Sequence, residues 1–229
     1  WPSGTVTTTK WLYSMGISRQ LVNAYKNTGW IKSFGTGAFS KAEDKIDWYG
    51  GLYALQSQLG LNIHVGGKTA LELLGLAHNI PIGQQTIDLL ATPQSLRPRW
   101  FNRHHWQERV RIIENNALPP KIGLEEISMG NFTIKISSRE RATLELLCLS
   151  PRLYSFEETR LIMESLGTLR ADVLTELLVL CTSEKAKRLL LYFGDELNHA
   201  WRSKINTDKS KYHAFMYLGW TVDASFKID

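Results

Sequence analysis

Apolar and polar positions change period twice within the first 41 residues, and each change predicts an element. Thr7-Thr8-Thr9 offers a threonine N-cap, whose oxygen can accept an orphan first-turn N–H. Lys10 to Met15 reads as a short helix with Trp11 and Leu12 on its apolar side. Gly16 interrupts it, since glycine tolerates the positive φ of a tight turn. Ser18 is the expected cap of a second helix, which Asn27-Thr28-Gly29 ends. Ile17, Leu21, Val22 and Tyr25 form the expected buried stripe of that helix, with Arg19, Gln20, Asn23 and Lys26 opposite. From Trp30 to Ser40 alternation replaces the helical period around a Gly35-Thr36-Gly37 tip, a hairpin signal. Two short helices, a glycine turn and a hairpin predict a winged helix-turn-helix.

Further along, Leu61 to Val65 reads as a strand, and a helix follows from Gly66-Gly67-Lys68-Thr69 to about Leu76. Thr69-x-x-Glu72 reads as its capping box. Ile122 to Ile136 alternates around Gly130-Asn131 as a hairpin, and four helical patterns follow it. Ser137-x-x-Glu140 and Ser155-x-x-Glu158 read as capping boxes for the first two. Their expected cores are Ala142, Leu144, Leu146 and Leu147, then Leu161, Ile162 and Leu166. The third pattern runs from about Leu169 to Cys181 and the fourth from about Glu184 to Leu197. Tyr212 to Ile228 reads as a closing hairpin. The expected class is α+β. A winged helix-turn-helix domain with a helix-strand-helix extension occupies residues 1–83, and a mixed α/β domain with a helical cluster and flanking hairpins occupies 84–229.

Composition narrows the function. Of 229 residues, 43% are apolar and 21% charged, which is globular usage. No uninterrupted apolar run reaches the roughly 18 residues of a membrane span. Trp1-Pro2-Ser3-Gly4 lacks the basic and apolar regions of a signal peptide, and a start at Trp1 rather than Met leads us to expect a segment upstream. Cys148 and Cys181 make neither a disulfide framework nor a metal-ligand spacing, so a reducing cytoplasm is expected.

The net charge of +5 is concentrated rather than spread. The first 42 residues contain no acid, and residues 96–121 hold six basic side chains against two acidic ones. Residues 122–229 are near neutral, with 14 basic and 15 acidic side chains. Localised positive charge is the footprint of a polyanion binder. Arg19, Gln20 and Asn23 are of the types that pair with base edges in the major groove. Lys10, Ser18, Lys26, Lys32, Thr36 and Lys41 would serve phosphates or the minor groove. The other reading is a winged-helix module that grips structured RNA or a protein.

Several chemistry-like motifs carry less. Gly66-Gly67-Lys68-Thr69 has the outline of a phosphate loop, but Asn62 stands where the motif needs its first glycine. Glu43-Asp44-Lys45 lacks the second acid of a metal-dependent nuclease, and adjacent His104 and His105 cannot share a ligand face. Neither a catalytic constellation, a cofactor site nor a metal site is expected. The block Arg97-Pro98-Arg99-Trp100-Phe101-Asn102-Arg103-His104-His105-Trp106 interleaves cations with rings. Either it is a second nucleic-acid patch, or the rings are core and a proline-bearing strand edge exposes Arg97 and Arg99. Lys185, Lys187 and Arg188 gather on the early turns of the fourth helix, as a partner contact or a solvated face.

As a series, these residues resemble the AbiEi family of antitoxins from type IV toxin–antitoxin systems of abortive infection. The resemblance rests on Trp11-Leu12, Gly16 to Leu21, Gly29-Trp30 and Gly35 to Phe39 in the winged helix. It continues through Ala54-Leu55-Gln56, His64 to Leu71, Gly75, Arg139 to Ala142, Glu145-Leu146-Leu147 and Lys187-Arg188-Leu189. That family's members begin with a further short helix before the Trp-Pro. The resemblance implies a bacterial repressor that binds inverted repeats of duplex DNA in its own promoter. It also implies a C-terminal domain that opposes a neighbouring nucleotidyltransferase-like toxin, without requiring a stable complex.

Overall fold

The computed structural model describes residues 1–77, 85–93 and 97–205, so the hairpin expected at Tyr212 to Ile228 lies outside the described residues. The architecture is α+β. The N-terminal elements are β1 (Thr7–Thr8), α1 (Thr9–Ser14), α2 (Arg19–Asn27), β2 (Ile31–Gly35) and β3 (Ala38–Lys41). The three strands form an antiparallel sheet in the order β1-β3-β2. Thr8 caps α1 by accepting from the Trp11 N–H at 3.3 Å, and Gly16 makes the following turn at φ +78°.

Next come α3 (Trp48–Tyr53), running into a π-helical turn at Ala54–Gln58, then β4 (Ile63–Val65) and α4 (Gly67–Leu73). They are followed by β5 (Thr86–Ala91), α5 (Arg99–Arg103), β6 (Arg109–Glu114), β7 (Leu124–Ser128) and β8 (Thr133–Ser137). Among the described residues a second sheet has five strands in the order β6-β5-β4-β8-β7. Its central strand, β4, pairs antiparallel with β5 and parallel with β8. Strands from both sides of residue 83 therefore share one sheet. Val65, Leu89, Ile134 and Ile136 are buried within the same main core as Val6, Leu52 and Leu55. β5 carries no clear alternation because it is buried on both faces, as a strand inside a covered sheet is.

The helical cluster comprises α6 (Arg139–Leu149), α7 (Phe156–Glu164), α8 (Ala171–Leu180) and α9 (Glu184–Glu196). α6 is its axle, touching α4, α7, α8 and α9. Ala142, Leu144, Leu146 and Leu147 are buried as expected. Two expectations need correction here. The cap of α6 is Ser138, which accepts from the Arg141 N–H, because the Ser137 hydroxyl is drawn inward to Glu145 at 2.6 Å. Leu161 is 53% exposed, since α7 turns Ile162 and Met163 toward the core instead. Ser155 does cap α7, accepting from the Glu158 N–H at 3.0 Å.

The Gly66-Gly67-Lys68-Thr69 stretch has a structural explanation. Gly66 is the residue before α4, and the Gly67 N–H donates to the buried Glu145 carboxylate at 3.2 Å. A Cβ at Gly66 would lie 2.5 Å from Glu145 Oε2, so only glycine admits this approach. The same carboxylate bonds His64 Nε2 at 2.9 Å and accepts from Arg141 Nε at 2.7 Å. Lys68 pairs with Glu158 at 2.6 Å. The capping box expected at Thr69 is also corrected: its hydroxyl accepts from the Asp88 N–H at 2.9 Å and ties α4 to β5.

Candidate nucleic-acid interface

The winged helix has its own small core of Leu12, Val22 and Ile31, with Trp1, Trp11, Ile17 and Phe39 packed around it. Val22 is the one buried residue of α2, so the helix rests on a narrow footing and leaves nearly its whole surface to solvent. The broad stripe expected from the sequence is thereby corrected: Leu21 is 40% and Tyr25 38% exposed. The neighbouring elements are too short to cover more than one row of the helix. Ser18 caps α2 by accepting from the Leu21 N–H at 3.3 Å.

Successive helical residues turn by about 100°, which ranks the exposed side chains by direction. Gln20, Ala24 and Asn27 point most directly away from Val22, with Asn23 on one border of that row and Leu21 on the other. Arg19 and Lys26 fall between that outer row and the buried side. Ala24 and Asn27 were not singled out from the sequence, although their spacing from Gln20 at i+4 and i+7 was visible there.

The other cations differ in freedom. Lys10 and Lys26 are exposed, as is Thr36 at the hairpin tip. Lys32 Nζ donates to the carbonyls of Ala42 at 2.8 Å and Asp44 at 3.1 Å. Lys41 Nζ lies 3.0 Å from Ser3 Oγ and 6.0 Å from the centre of the Trp1 ring. The Asp44 carboxylate accepts from the Gly4 N–H at 2.7 Å.

The arginine-rich block packs against the wing. Pro98 precedes a short helix, α5, not the strand edge expected from its proline. Trp100 and Phe101 point into the core. Phe34 of β2 lies edge-on to Trp100 at 6.0 Å and stacks on His104 at 4.3 Å. Gly35 approaches so closely that a Cβ there would lie 2.7 Å from Trp100 Cβ. Burial, then the charge of His105, holds the His104 imidazole below its ordinary value, which suits a ring used for stacking. With the rings inside, Arg99 and Arg103 stand exposed one turn apart on α5. Arg97 is instead paired with Glu114.

Lys185, Lys187 and Arg188 sit elsewhere, on α9. Lys185 Nζ donates to the carbonyls of Cys148 at 2.8 Å and Ser150 at 2.5 Å, satisfying the end of α6. Lys187 is 9% exposed and pairs with Glu184 at 2.8 Å. Arg188 is an exposed residue of α9. Among the described residues no group of three or more His, Cys, Asp or Glu is placed to hold a metal ion.

Comparison with known families gives two matches that together span nearly the whole chain. Residues 1–82 match the model described as transcriptional regulator, AbiEi antitoxin N-terminal domain. Residues 84–214 match the model described as transcriptional regulator, AbiEi antitoxin, type IV TA system. Comparison with curated protein sequences gives no match. Among solved structures, the fold is similar to the crystal structure of the RV2827C protein from Mycobacterium tuberculosis. That similarity has a TM-score of 0.58 at 15% identity, covering 89% of this chain and 78% of that one.

Proposed function

Since the chain belongs to the AbiEi family of transcriptional-regulator antitoxins of type IV toxin–antitoxin systems, we propose that it is a DNA-binding autorepressor. It grips duplex operator DNA, as inverted repeats, with α2 in the major groove and the β2–β3 wing alongside. The observation that carries this reading is the surface of α2. It is almost wholly exposed, bears amides and cations, and belongs to a 42-residue stretch without an acid. Such a surface attracts phosphates, with no carboxylate in that stretch to repel them. Arg99 and Arg103 extend it, because α5 is fastened to the wing through Phe34 and Trp100.

The remainder opposes a nucleotidyltransferase-like toxin encoded beside it, as a regulator rather than an enzyme, in the cytoplasm. No described helix is long and apolar enough to cross a membrane. A mobility-shift titration on the region upstream of the gene, repeated at several salt concentrations, tests the DNA reading. We expect salt-sensitive binding, and its absence overturns the proposal. Co-expression with the neighbouring toxin tests the second role, with restored growth as the expected result.

A second reading has its own observation. Trp30 is 73%, Met15 61% and Tyr13 48% exposed around the winged helix, which would suit a protein or structured-RNA contact. Competition between operator duplex, tRNA and an unrelated protein separates it from DNA binding.

A further inference from the structure

The ranking of side chains around α2 assigns a division of labour. We infer that this protein reads A·T base pairs, through Gln20, Asn23 and Asn27 on adenine and Ala24 against a thymine methyl, while Arg19 and Lys26 hold phosphates. The inference rests on the DNA-binding reading above and deepens it by naming the class of site.

Val22 fixes which side of α2 faces the protein, being its one buried residue. The row furthest from Val22 enters a groove deepest, and it consists of Gln20, Ala24 and Asn27 with Asn23 at its border. All four are exposed. Arg19 and Lys26 fall on a flank, where long side chains meet the backbone that walls the groove.

The chemistry follows from the residue types. A carboxamide presents one donor and one acceptor side by side, matching the N7 acceptor and N6 donor of adenine. A small methyl packs against the C5-methyl of thymine. Guanine offers two acceptors and is best met by a cation, and the outer row has none. The amides carry no charge, so they add little to non-specific affinity. Discrimination and salt dependence should therefore reside in different residues of the same helix.

The test is selection of random duplexes by the full chain at one fixed salt concentration, followed by sequencing. We expect half-sites with a core of consecutive A·T pairs. Replacing a core adenine by 7-deazaadenine, which lacks N7, should weaken binding roughly tenfold. That penalty should disappear in Gln20→Ala, Asn23→Ala or Asn27→Ala, whichever meets that base. Arg19→Ala should weaken every duplex alike and leave the selected core unchanged. A G·C core that Arg19→Ala erases would overturn the inference while leaving DNA binding intact. So would an A·T core indifferent to 7-deazaadenine, because the protein would then read groove shape. If no duplex is enriched, both the inference and the DNA-binding reading fail.

Discussion

The backbone N–H of Gly67 donates to the buried carboxylate of Glu145 at 3.2 Å, so the loop that has the outline of a phosphate cradle already holds an anion. That anion is supplied from α6 and is shared with His64, Ser137 and Arg141. Arg141 in turn donates to the Pro119 carbonyl at 2.6 Å. One carboxylate thus joins β4, the start of α4, β8, α6 and the loop before β7.

Removing it should be costly. Glu145→Ala leaves Arg141 buried without its charge partner and should destabilise the chain by about 3–5 kcal/mol, read by urea unfolding. A loss below about 1 kcal/mol would show that the network contributes little. ATP or GTP should give the wild-type chain no shift in melting temperature, since ligand binding would raise it.

The same group sets an acid limb. Burial pushes the Glu145 carboxyl up, but His64, Arg141 and Ser137 more than offset this and hold it down to about 2 from an ordinary 4.5. A carboxyl depressed on folding contributes stability that is complete above about pH 4.5 and is lost as pH falls through about 2. Glu145→Gln should flatten the stability profile across that window. An unchanged slope would assign acid unfolding to other carboxylates.

The wing should depend on its brace. Phe34→Ala removes the contacts with Trp100, His104 and Trp106, and should cost about 2 kcal/mol of stability. DNA affinity should fall further than this loss explains, because the hairpin is released from α5. Equal affinity with a looser wing would exclude the hairpin from the interface.

Salt slopes should sort the cations. Arg99→Ala and Arg103→Ala should each lower the log–log slope of affinity against salt by about 0.9 if each meets one phosphate. Arg97→Ala should leave it unchanged, since that guanidinium is paired with Glu114. Lys32→Ala should change it by less than a full contact, because its ammonium is held by two loop carbonyls.

Ser18 separates folding from binding. Ser18→Ala should cost about 1 kcal/mol through loss of the α2 cap. Ser18→Asp keeps a capping oxygen and stability, yet should weaken DNA binding by placing a negative charge beside phosphates. Unchanged affinity in Ser18→Asp would move the helix start away from the backbone.

Local signals were legible wherever neighbours in sequence are neighbours in space. Thr8, Ser18 and Ser155 cap the helices they precede. Gly16 turns where a positive φ was expected. The errors fell where distant groups compete for a side chain. Ser137 and Thr69 have the spacing of caps, but Glu145 and Asp88 claim their hydroxyls.

By itself the sequence determined the winged helix, the hairpin at residues 122–136, the helical cluster and the acid-free basic N-terminus. These depend on period, caps, turns and charge, all of which act within a few residues. Only the tertiary structure decided that α5, the short helix carrying Arg99 and Arg103, packs against the wing. It alone placed β4 at the centre of a sheet built from both halves of the chain, and showed which row of α2 faces outward. Each of these depends on contacts between residues far apart in the chain, and periodicity shows that a face is buried without showing what buries it.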